Sequence, residues 1–395
     1  MVTEGGGGPP EGQASSPAAL RGDGGRLGIV VTLFGMSLGA TSFGYPLLAL
    51  ESGLGATAVG FLAAVSAAAQ MGSRIGLPAA LAKFKDRTLI AVSLAVMILS
   101  AAVLIGTKAL PAFVFAQVAQ GFARGTFHTA SQTHGVRNPG LPGRRLASVQ
   151  TASQFGGLLG PAVAGSLALL SLGAALWSAV GWAAAGLAAT FVLDPMPPYQ
   201  RAPRHERVPI WRRKGLGPGS WGTALSGTWT GAAESFIPVI LSQAGTPDSR
   251  IGWLLSAARG AGFLATASVA KWGGAGVGSY VPLAAVGTAV PLVILPFVSG
   301  LPAFAVLMVF GGAAGNVAGV LGTAAANAAI EPSEQGAVIA LVGVYRAAAR
   351  MAAPALVSAV LPYIGLPAAM IVVGASSLAP ITFLHPPWPP WRRRP

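Results

Sequence analysis

The feature that most constrains the fold is an internal repeat, in which apolar segments recur along the chain at a nearly constant distance. Five glycine or proline positions of the first half return in the same order in the second half, at offsets of 192, 192, 191, 193 and 193 residues. The matching pairs are Pro46 and Pro238, Gly60 and Gly252, Pro111 and Pro302, Gly143 and Gly336, and Pro161 and Pro354. Each lies beside or within a long apolar stretch, so the repeat predicts two similar bundles of membrane spans.

Composition supports a membrane environment. Only 9% of the residues are charged, 53% are hydrophobic and the mean hydropathy is +0.64. A soluble domain has about 25% charged residues, so this chain has too little polar surface to face water. About 20 apolar residues cross a bilayer as a helix. The sequence therefore predicts an all-α membrane protein with twelve transmembrane helices, at 27–50, 57–81, 88–107, 111–132, 146–169, 172–193, 219–241, 250–270, 279–298, 301–328, 335–360 and 364–384.

The spans fall into two groups of six, separated by one long polar connector. We predict a disordered N-terminal tail at 1–26, a six-helix bundle at 27–193, a cytoplasmic linker at 194–218, a second six-helix bundle at 219–384, and a basic Pro/Trp-rich tail at 385–395. The leader is rich in Gly and Pro and lacks the apolar core of a cleavable signal peptide. The linker is basic, with Arg201, Arg204, Arg207, Arg212, Arg213 and Lys214.

The positive charges indicate the orientation. If both termini are cytoplasmic, the cytoplasmic side holds most of the 25 lysines and arginines, and the outer side holds only Lys108 and Arg250. The positive-inside rule favours this multi-pass arrangement in the inner or plasma membrane, with the basic loops against anionic headgroups of the lipid bilayer. The net charge of +14 is thereby explained without a nucleic-acid partner, because such binders collect their charge on one soluble face.

The fifth span contains the most informative local motif, Gly156-Gly157-Leu158-Leu159-Gly160-Pro161-Ala162-Val163-Ala164-Gly165. It resembles the Gly-x-x-x-Gly-Pro-x-x-Gly-Gly motif of drug–proton antiporters in the major facilitator superfamily, with Ala164 and Ala147 where that family usually has glycine. The resemblance covers nearly the whole span region and implies two six-helix parallel repeats that alternate about a central cavity. In purely physical terms, Gly156, Gly160 and Gly165 make room for neighbouring helices and Pro161 permits a bend.

Two other motifs of that superfamily are poorly kept. In the loop between spans two and three, Ala82 stands where the family has an acidic residue, and Asp86 and Arg87 follow one turn later. Asp86 either restores a charge pair at the inner gate or is a solvated loop ion. In span four the family motif begins with an arginine, but this chain has Gln117, and Arg124 lies further along the helix as a partial substitute.

The one clear acid within a span is Glu234, and an ionisable group at this depth is expensive enough to indicate function. Glu234 shares a helical face with Gly227, Thr230 and Gly231, which suits a water-filled cavity. Two interpretations stay open and are compatible. Glu234 carries a coupling proton, or it forms a fixed ion pair with Arg259 of the next span.

We expect the substrate cavity to be lined by Arg124, His128, Gln150, Gln154, Trp229, Arg259, Arg346 and Arg350. Arg346 and Arg350 lie one turn apart, so they point the same way and need an anionic substrate, Glu234 or backbone carbonyls as acceptors. His128 either titrates or makes a structural hydrogen bond. Three further side chains either line the cavity or make packing and hydrogen-bond contacts between helices: Gln150, Gln154 and Trp229. Arg74 lies nearer the end of its span, where its side chain can extend to the interface.

Other functional classes find little support. The sequence has no Gly-Lys-Ser/Thr phosphate loop, no cysteine and no His/Asp/Glu cluster at metal-ligand spacing, so we predict no cofactor, no metal and no enzyme. We predict a monomeric secondary transporter that exports a small organic molecule against proton entry. The alternatives are proton-coupled uptake of a small organic anion, and a receptor or scaffold that keeps the fold without transport.

Overall fold

The computed structural model describes residues 17–137, 142–198, 216–271, 280–328 and 335–379, and within these ranges every regular element is helical. The first half contains α1 (Pro17–Glu51), α2 (Ala56–Leu81), α3 (Asp86–Gly106), α4 (Leu110–Arg137), α5 (Pro142–Leu167) and α6 (Leu172–Thr190). The second half contains α7 (Leu216–Gln243), α8 (Asp248–Lys271), α9 (Val281–Ile294, continued by a 3-10 turn at Leu295–Phe297), α10 (Leu301–Ala328) and α11 (Gln335–Ser376). The basic linker residues and the C-terminal tail lie outside the described residues.

The last helix comprises two of the predicted spans. At Gly365 the backbone adopts φ 76° and ψ 164°, which is not helical, and Pro362 and Pro367 flank this position. Only glycine adopts such a positive φ without strain, and proline cannot continue a helix past its own missing N–H. The segments on either side of Gly365 are therefore the eleventh and twelfth spans, and the predicted twelve-helix architecture is confirmed.

The helix ends follow the predicted spans, with one clear difference at the N-terminus. α1 begins at Pro17 rather than at residue 27, so residues 17–26 are helical where a disordered tail was predicted. Asp23 on this extension is fully buried, and its carboxylate lies 2.8 Å from His134 Nε2 on α4. A buried polar contact across helices thus orders a segment that hydropathy alone does not reveal.

The apolar surface of the bundle fits a bilayer. Six described helical segments are long and apolar enough to cross a membrane: Gly22–Glu51, Ala56–Leu77, Asp86–Gly106, Leu172–Thr190, Leu301–Ala326 and Leu341–Ser376. Val281–Phe297 is a shorter apolar helix. Large apolar side chains such as Leu170, Leu283 and Val306 are exposed at the outer surface. These side chains face lipid, because a soluble protein rarely exposes so many together.

The internal repeat reappears in the packing. In the first half, α1 packs on α5 and α2 packs on α4; in the second half, α7 packs on α11 and α8 packs on α10. The two halves meet through α2 with α11 and through α5 with α8, which is again a symmetric pair of contacts. Each half is therefore one copy of the same bundle, and the two copies face each other.

Apolar packing between the two halves is uneven along the bundle. We call the end that carries the α2–α3 and α4–α5 connections, with Lys83, Lys85 and Arg87, the basic side. Away from it, one hydrophobic cluster contains residues of both halves, including Phe43 and Ile237. At the basic side, the described apolar residues form separate clusters within each half. Among the described residues, the apolar contacts that join the halves thus lie on the side opposite the basic loops.

Candidate functional site

A cavity of about 170 Å³ lies between the halves. Its lining comes from α1, α2, α4, α5, α7, α8, α10 and α11. All nine side chains predicted for proton coupling and the substrate cavity reach it: Arg124, His128, Gln150, Gln154, Trp229, Glu234, Arg259, Arg346 and Arg350. Arg74 lines the cavity as well.

Glu234 is at the centre of an ion-pair cluster that spans both halves. Its Oε1 accepts a hydrogen bond from Arg259 at 2.9 Å, and its Oε2 accepts one from Arg124 at 3.3 Å. Arg350 also donates to Oε2, and Ser42 Oγ lies 3.5 Å from the same oxygen. The predicted pair with Arg259 is thus present, within a larger cluster. Three guanidinium groups stabilise the ionised carboxylate by Coulombic attraction.

Arg74 and Arg346 lie outside this cluster. Arg74 donates a 2.8 Å hydrogen bond to the carbonyl of Gly343 on α11, so its side chain crosses to the other half rather than extending to the membrane surface. Among the described residues, neither arginine has a carboxylate partner. The Nε atoms of both are buried and lack a hydrogen-bond partner in the described part of the chain.

The charges of the cavity do not balance. Five guanidinium groups and one carboxylate line it, so its net charge is +4 when His128 is left out of the count. Buried ions cost several kcal/mol each unless they are paired, and the low dielectric of the interior strengthens the repulsion between like charges. The cavity therefore has a strong electrostatic preference for anions.

The uncharged predicted residues divide between cavity and packing. Gln154 donates a 3.0 Å hydrogen bond to Asn316 and so joins α5 to α10. Trp229 is 5% exposed and packs against Gly311 and Gly315, where any Cβ would meet its indole ring. Trp229 thus shapes the cavity wall from within the core. His128 makes an edge-to-face contact with Phe34, with ring centroids 5.7 Å apart.

The fifth-helix motif provides close contact surfaces on two sides. Gly156 and Gly160 pack against the backbone of α1, and a Cβ at Gly160 would stand 2.9 Å from the Cα of Gly39. Gly165 packs against α8 of the other half, where a Cβ would stand 2.9 Å from the Cα of Gly252. Pro161 lies inside α5 against the same two neighbours. The motif therefore lets α5 pack closely against α1 of its own half and against α8 of the other half.

Asp86 is buried, so it is not the solvated loop ion of the second interpretation. It lies 3.1 Å from His134 Nδ1 and 3.3 Å from Arg137, both on α4 of its own half. Arg87 donates a 2.9 Å hydrogen bond to the carbonyl of Leu193. We call the group formed by Asp23, Asp86, His134 and Arg137 the basic-side cluster. Its ion pairs and hydrogen bonds connect the ends of α1, α3 and α4 at the basic side.

His134 lies beyond residue 132, where the predicted span of α4 ends. Burial by itself lowers the pKa of this imidazole, but the hydrogen bonds and charges of Asp23 and Asp86 outweigh that effect and raise the pKa to about 9. A charged imidazole between two buried carboxylates is thus part of the basic-side cluster at neutral pH. Four residues at these places were not among the predicted site residues: Asp23, His134, Arg74 and Asn316. Of these, only Arg74 was noticed as an ionisable residue within a span.

No protein-family model matches the sequence, and no curated protein matches it. Solved structures do resemble the chain. The nucleoside transporter NupG has 11% identity and a TM-score of 0.71, with 90% of this chain and 96% of that one covered. The D-xylose-proton symporter has 14% identity and a TM-score of 0.72, with 93% and 96% covered. The human organic anion transporter MFSD10 (TETRAN) has 17% identity and a TM-score of 0.61, with 94% and 100% covered.

Likeness at these identities shows the fold alone. It extends over nine-tenths or more of this chain and of each of the three structures. The two packed six-helix repeats, the central cavity and these neighbours agree with one another. The chain is an all-α membrane protein with the twelve-helix fold of the major facilitator superfamily.

Proposed function

We propose that the protein is a secondary transporter that moves a small organic anion across the membrane by alternating access, coupled to protons through Glu234. The observation that carries this proposal is the cavity between the halves, with its five arginines and one carboxylate. Selective recognition of a neutral or cationic molecule has no need of such an excess of buried positive charge. An anion that enters the cavity supplies the missing counter-charge.

The fold neighbours support transport as the general activity. Each is named as a transporter or symporter, one of them for organic anions and another as a proton symporter. Apolar packing between the halves on one side, with separate clusters at the basic side, fits one of the two end states of an alternating-access cycle. We infer that the basic side faces the cytoplasm of a cell with this protein in its inner or plasma membrane, following the charge of the loops.

Glu234 provides the coupling in this scheme. Without substrate, its carboxylate is the internal anion of Arg124, Arg259 and Arg350. An acidic group of the substrate competes for the same guanidinium groups. When it displaces the carboxylate, Glu234 loses the charges that keep it ionised and takes up a proton. Proton and anion binding then favour each other, so both move in the same direction.

This geometry favours the anion–proton symport alternative over drug–proton antiport. A carboxylate that exchanges a proton for a cationic substrate has to be accessible to that cation. Glu234 is instead enclosed by three cations within the described structure. Export against proton entry, which the fifth-helix motif suggests, is the alternative to this proposal, and the monomeric state stays a prediction.

The test is transport by purified protein in sealed proteoliposomes under an imposed pH gradient. Labelled mono- and dicarboxylates should accumulate with the proton gradient, whereas neutral amides and quaternary ammonium compounds of similar shape should not. Glu234→Gln should abolish gradient-driven accumulation and preserve exchange of anions across the membrane. Glu51→Gln is the matched control, because Glu51 pairs with Lys108 at the exposed α1–α2 end.

Transport of the neutral or cationic analogues with no transport of any anion would overturn the proposed substrate class. Gradient-driven accumulation that persists in Glu234→Gln would remove Glu234 from the coupling role and leave the substrate class standing. Absence of any transport across the whole panel, by protein that is folded in the membrane, would support the scaffold alternative.

A further inference from the structure

We propose that Arg74 and Arg346 form a second anion site in the same cavity, and that the substrate is a dianion with two separated acidic groups, such as a dicarboxylate. This inference rests on the function proposed above and makes its substrate class more specific. One acidic group would bind where Glu234 now holds its three arginines. The other would bind between Arg74 of the first half and Arg346 of the second.

Within the described residues, Arg74 and Arg346 have no carboxylate partner. The carboxylate of Glu234 is occupied by Arg124, Arg259 and Arg350. Within the described residues, Arg346 donates no hydrogen bond, and Arg74 donates only to one backbone carbonyl. Arg346 and Arg74 also repel each other. Within the described residues, two like charges thus line one cavity without a carboxylate counter-ion, and an external anion would supply it.

Two glycines leave space for the guanidinium groups of Arg74 and Arg346. A Cβ at Gly343 would stand 2.6 Å from a terminal nitrogen of Arg74. A Cβ at Gly319 would stand 2.7 Å from a terminal nitrogen of Arg346. Any larger residue at either position would push the guanidinium group away. Gly319 on α10 thus leaves room for the guanidinium group of Arg346, and Gly343 on α11 leaves room for that of Arg74.

The distance between the two sites can be estimated from the spacing of Arg346 and Arg350 along α11. Arg346 and Arg350 are four residues apart on α11, and at 1.5 Å of rise per residue their positions differ by about 6 Å along the helix axis. Arg350 belongs to the Glu234 cluster and Arg346 to the second site. Acidic groups about 6 Å apart therefore reach both sites at once. Dicarboxylates with short carbon chains have this spacing, whereas a monocarboxylate reaches only one site.

The second site also lies toward the basic side. α11 begins at the basic side, so Arg346 lies one turn nearer to that side than Arg350 does. Arg74 and Arg346 come from opposite halves. An acidic group bound between them attracts both halves at the end where their hydrophobic clusters are distinct. A dianion would thus favour closure of the basic side more than a monoanion bound only at the Glu234 cluster does.

The experiment compares dicarboxylates of increasing length with the monocarboxylates of the same carbon number, as competitors for transport in proteoliposomes. In the unchanged protein, the best dicarboxylate should compete at least 10-fold better than its monocarboxylate. A hydrogen bond to a charged group is worth about 1.5–3 kcal/mol, so Arg74→Gln and Arg346→Gln should each weaken the dicarboxylate about 10- to 100-fold. The monocarboxylate should change less than about 3-fold.

Three further variants define the interpretation. Arg346→Lys keeps the charge but loses the planar fork, and should recover only part of the dicarboxylate affinity. Gly343→Leu should mimic Arg74→Gln, because it displaces the Arg74 side chain. Arg250→Gln is the matched control at an exposed arginine in the first turn of α8. Thermal unfolding of each variant in detergent shows that it is folded.

Equal weakening of mono- and dicarboxylates by Arg74→Gln and Arg346→Gln, or no weakening of either, would overturn the second site. Anion transport as such would then still stand. Failure of every anion to compete or be transported by the unchanged protein would instead overturn the proposed function, and the second site with it.

Discussion

Removal of the carboxylate of Glu234 should destabilise the protein far more than removal of an exposed carboxylate in an ion pair of equal length. Glu234 accepts hydrogen bonds at 2.9 Å from Arg259 and 3.3 Å from Arg124, and its side chain is 15% exposed. Breaking a buried pair by removing one partner costs about 3–5 kcal/mol, because it leaves an uncompensated buried charge. We therefore expect Glu234→Gln to lower the free energy of unfolding by about that amount.

The matched control is Glu51→Gln. Glu51 lies 2.9 Å from Lys108, as close as Glu234 lies to Arg259, but both side chains of this pair are about half exposed. Water and salt screen an exposed pair, so the cost should be about 0–1 kcal/mol. The comparison holds the chemical change constant and varies only burial and the number of guanidinium partners.

A dicarboxylate should restore the stability of Glu234→Gln. An anion that binds only the folded protein at 100 times its dissociation constant adds about 2.7 kcal/mol. Because the variant has lost its internal anion, lower concentrations should suffice than in the unchanged protein. The assay is thermal unfolding in detergent, followed by tryptophan fluorescence, with dicarboxylate, monocarboxylate and neutral diamide added in parallel. Equal losses in Glu234→Gln and Glu51→Gln, with no rescue by anions, would refute this reasoning.

Three further predictions concern other parts of the molecule. Arg346→Gln should raise the free energy of unfolding in anion-free buffer by about 1 kcal/mol or more, since it removes a buried charge that has no carboxylate partner among the described residues; a loss of stability would show that Arg346 is structural. The basic-side cluster should lose stability as pH rises: with a folded pKa near 9 against 6.5 unfolded, the contribution of His134 is complete below pH 6.5 and disappears by about pH 9. This contribution is worth about 3 kcal/mol, and His134→Gln should flatten the pH dependence of unfolding over that window. Gly160→Leu should cost about 1–3 kcal/mol by overpacking against α1, whereas Gly181→Ala, with no atom within 4 Å of the added Cβ, should have little effect in the same unfolding assay.

Much of the fold could be predicted from the sequence, because lipid imposes a simple rule on it. Apolar runs of about 20 residues must be helices in a bilayer, since every backbone polar group needs a partner within its own segment. The predicted spans accordingly match the helix boundaries closely. The extension of α1 to Pro17 was missed, because it depends on the contact of Asp23 with His134 and not on hydropathy.

The site could be predicted only in part, for a related reason. The cost of burying Glu234 and the arginines identifies them as candidates from the sequence alone. Which arginine pairs with which acceptor depends on the rotation of each helix and on its neighbours. Hence the Glu234 pair with Arg259 could be named, whereas the part played by Arg124 and Arg350, and the reach of Arg74 to Gly343, could not. Hydropathy likewise gave no sign that Asp86 is buried.

The central claim is that the arginines of the cavity are neutralised either by Glu234 or by an acidic group of the substrate. Its most direct test is the number of protons taken up when a dicarboxylate binds, measured by titration calorimetry in buffers of different ionisation enthalpy. We predict uptake of about one proton per dicarboxylate in the unchanged protein and of none in Glu234→Gln. The same uptake in both proteins, or none in either, would contradict the claim.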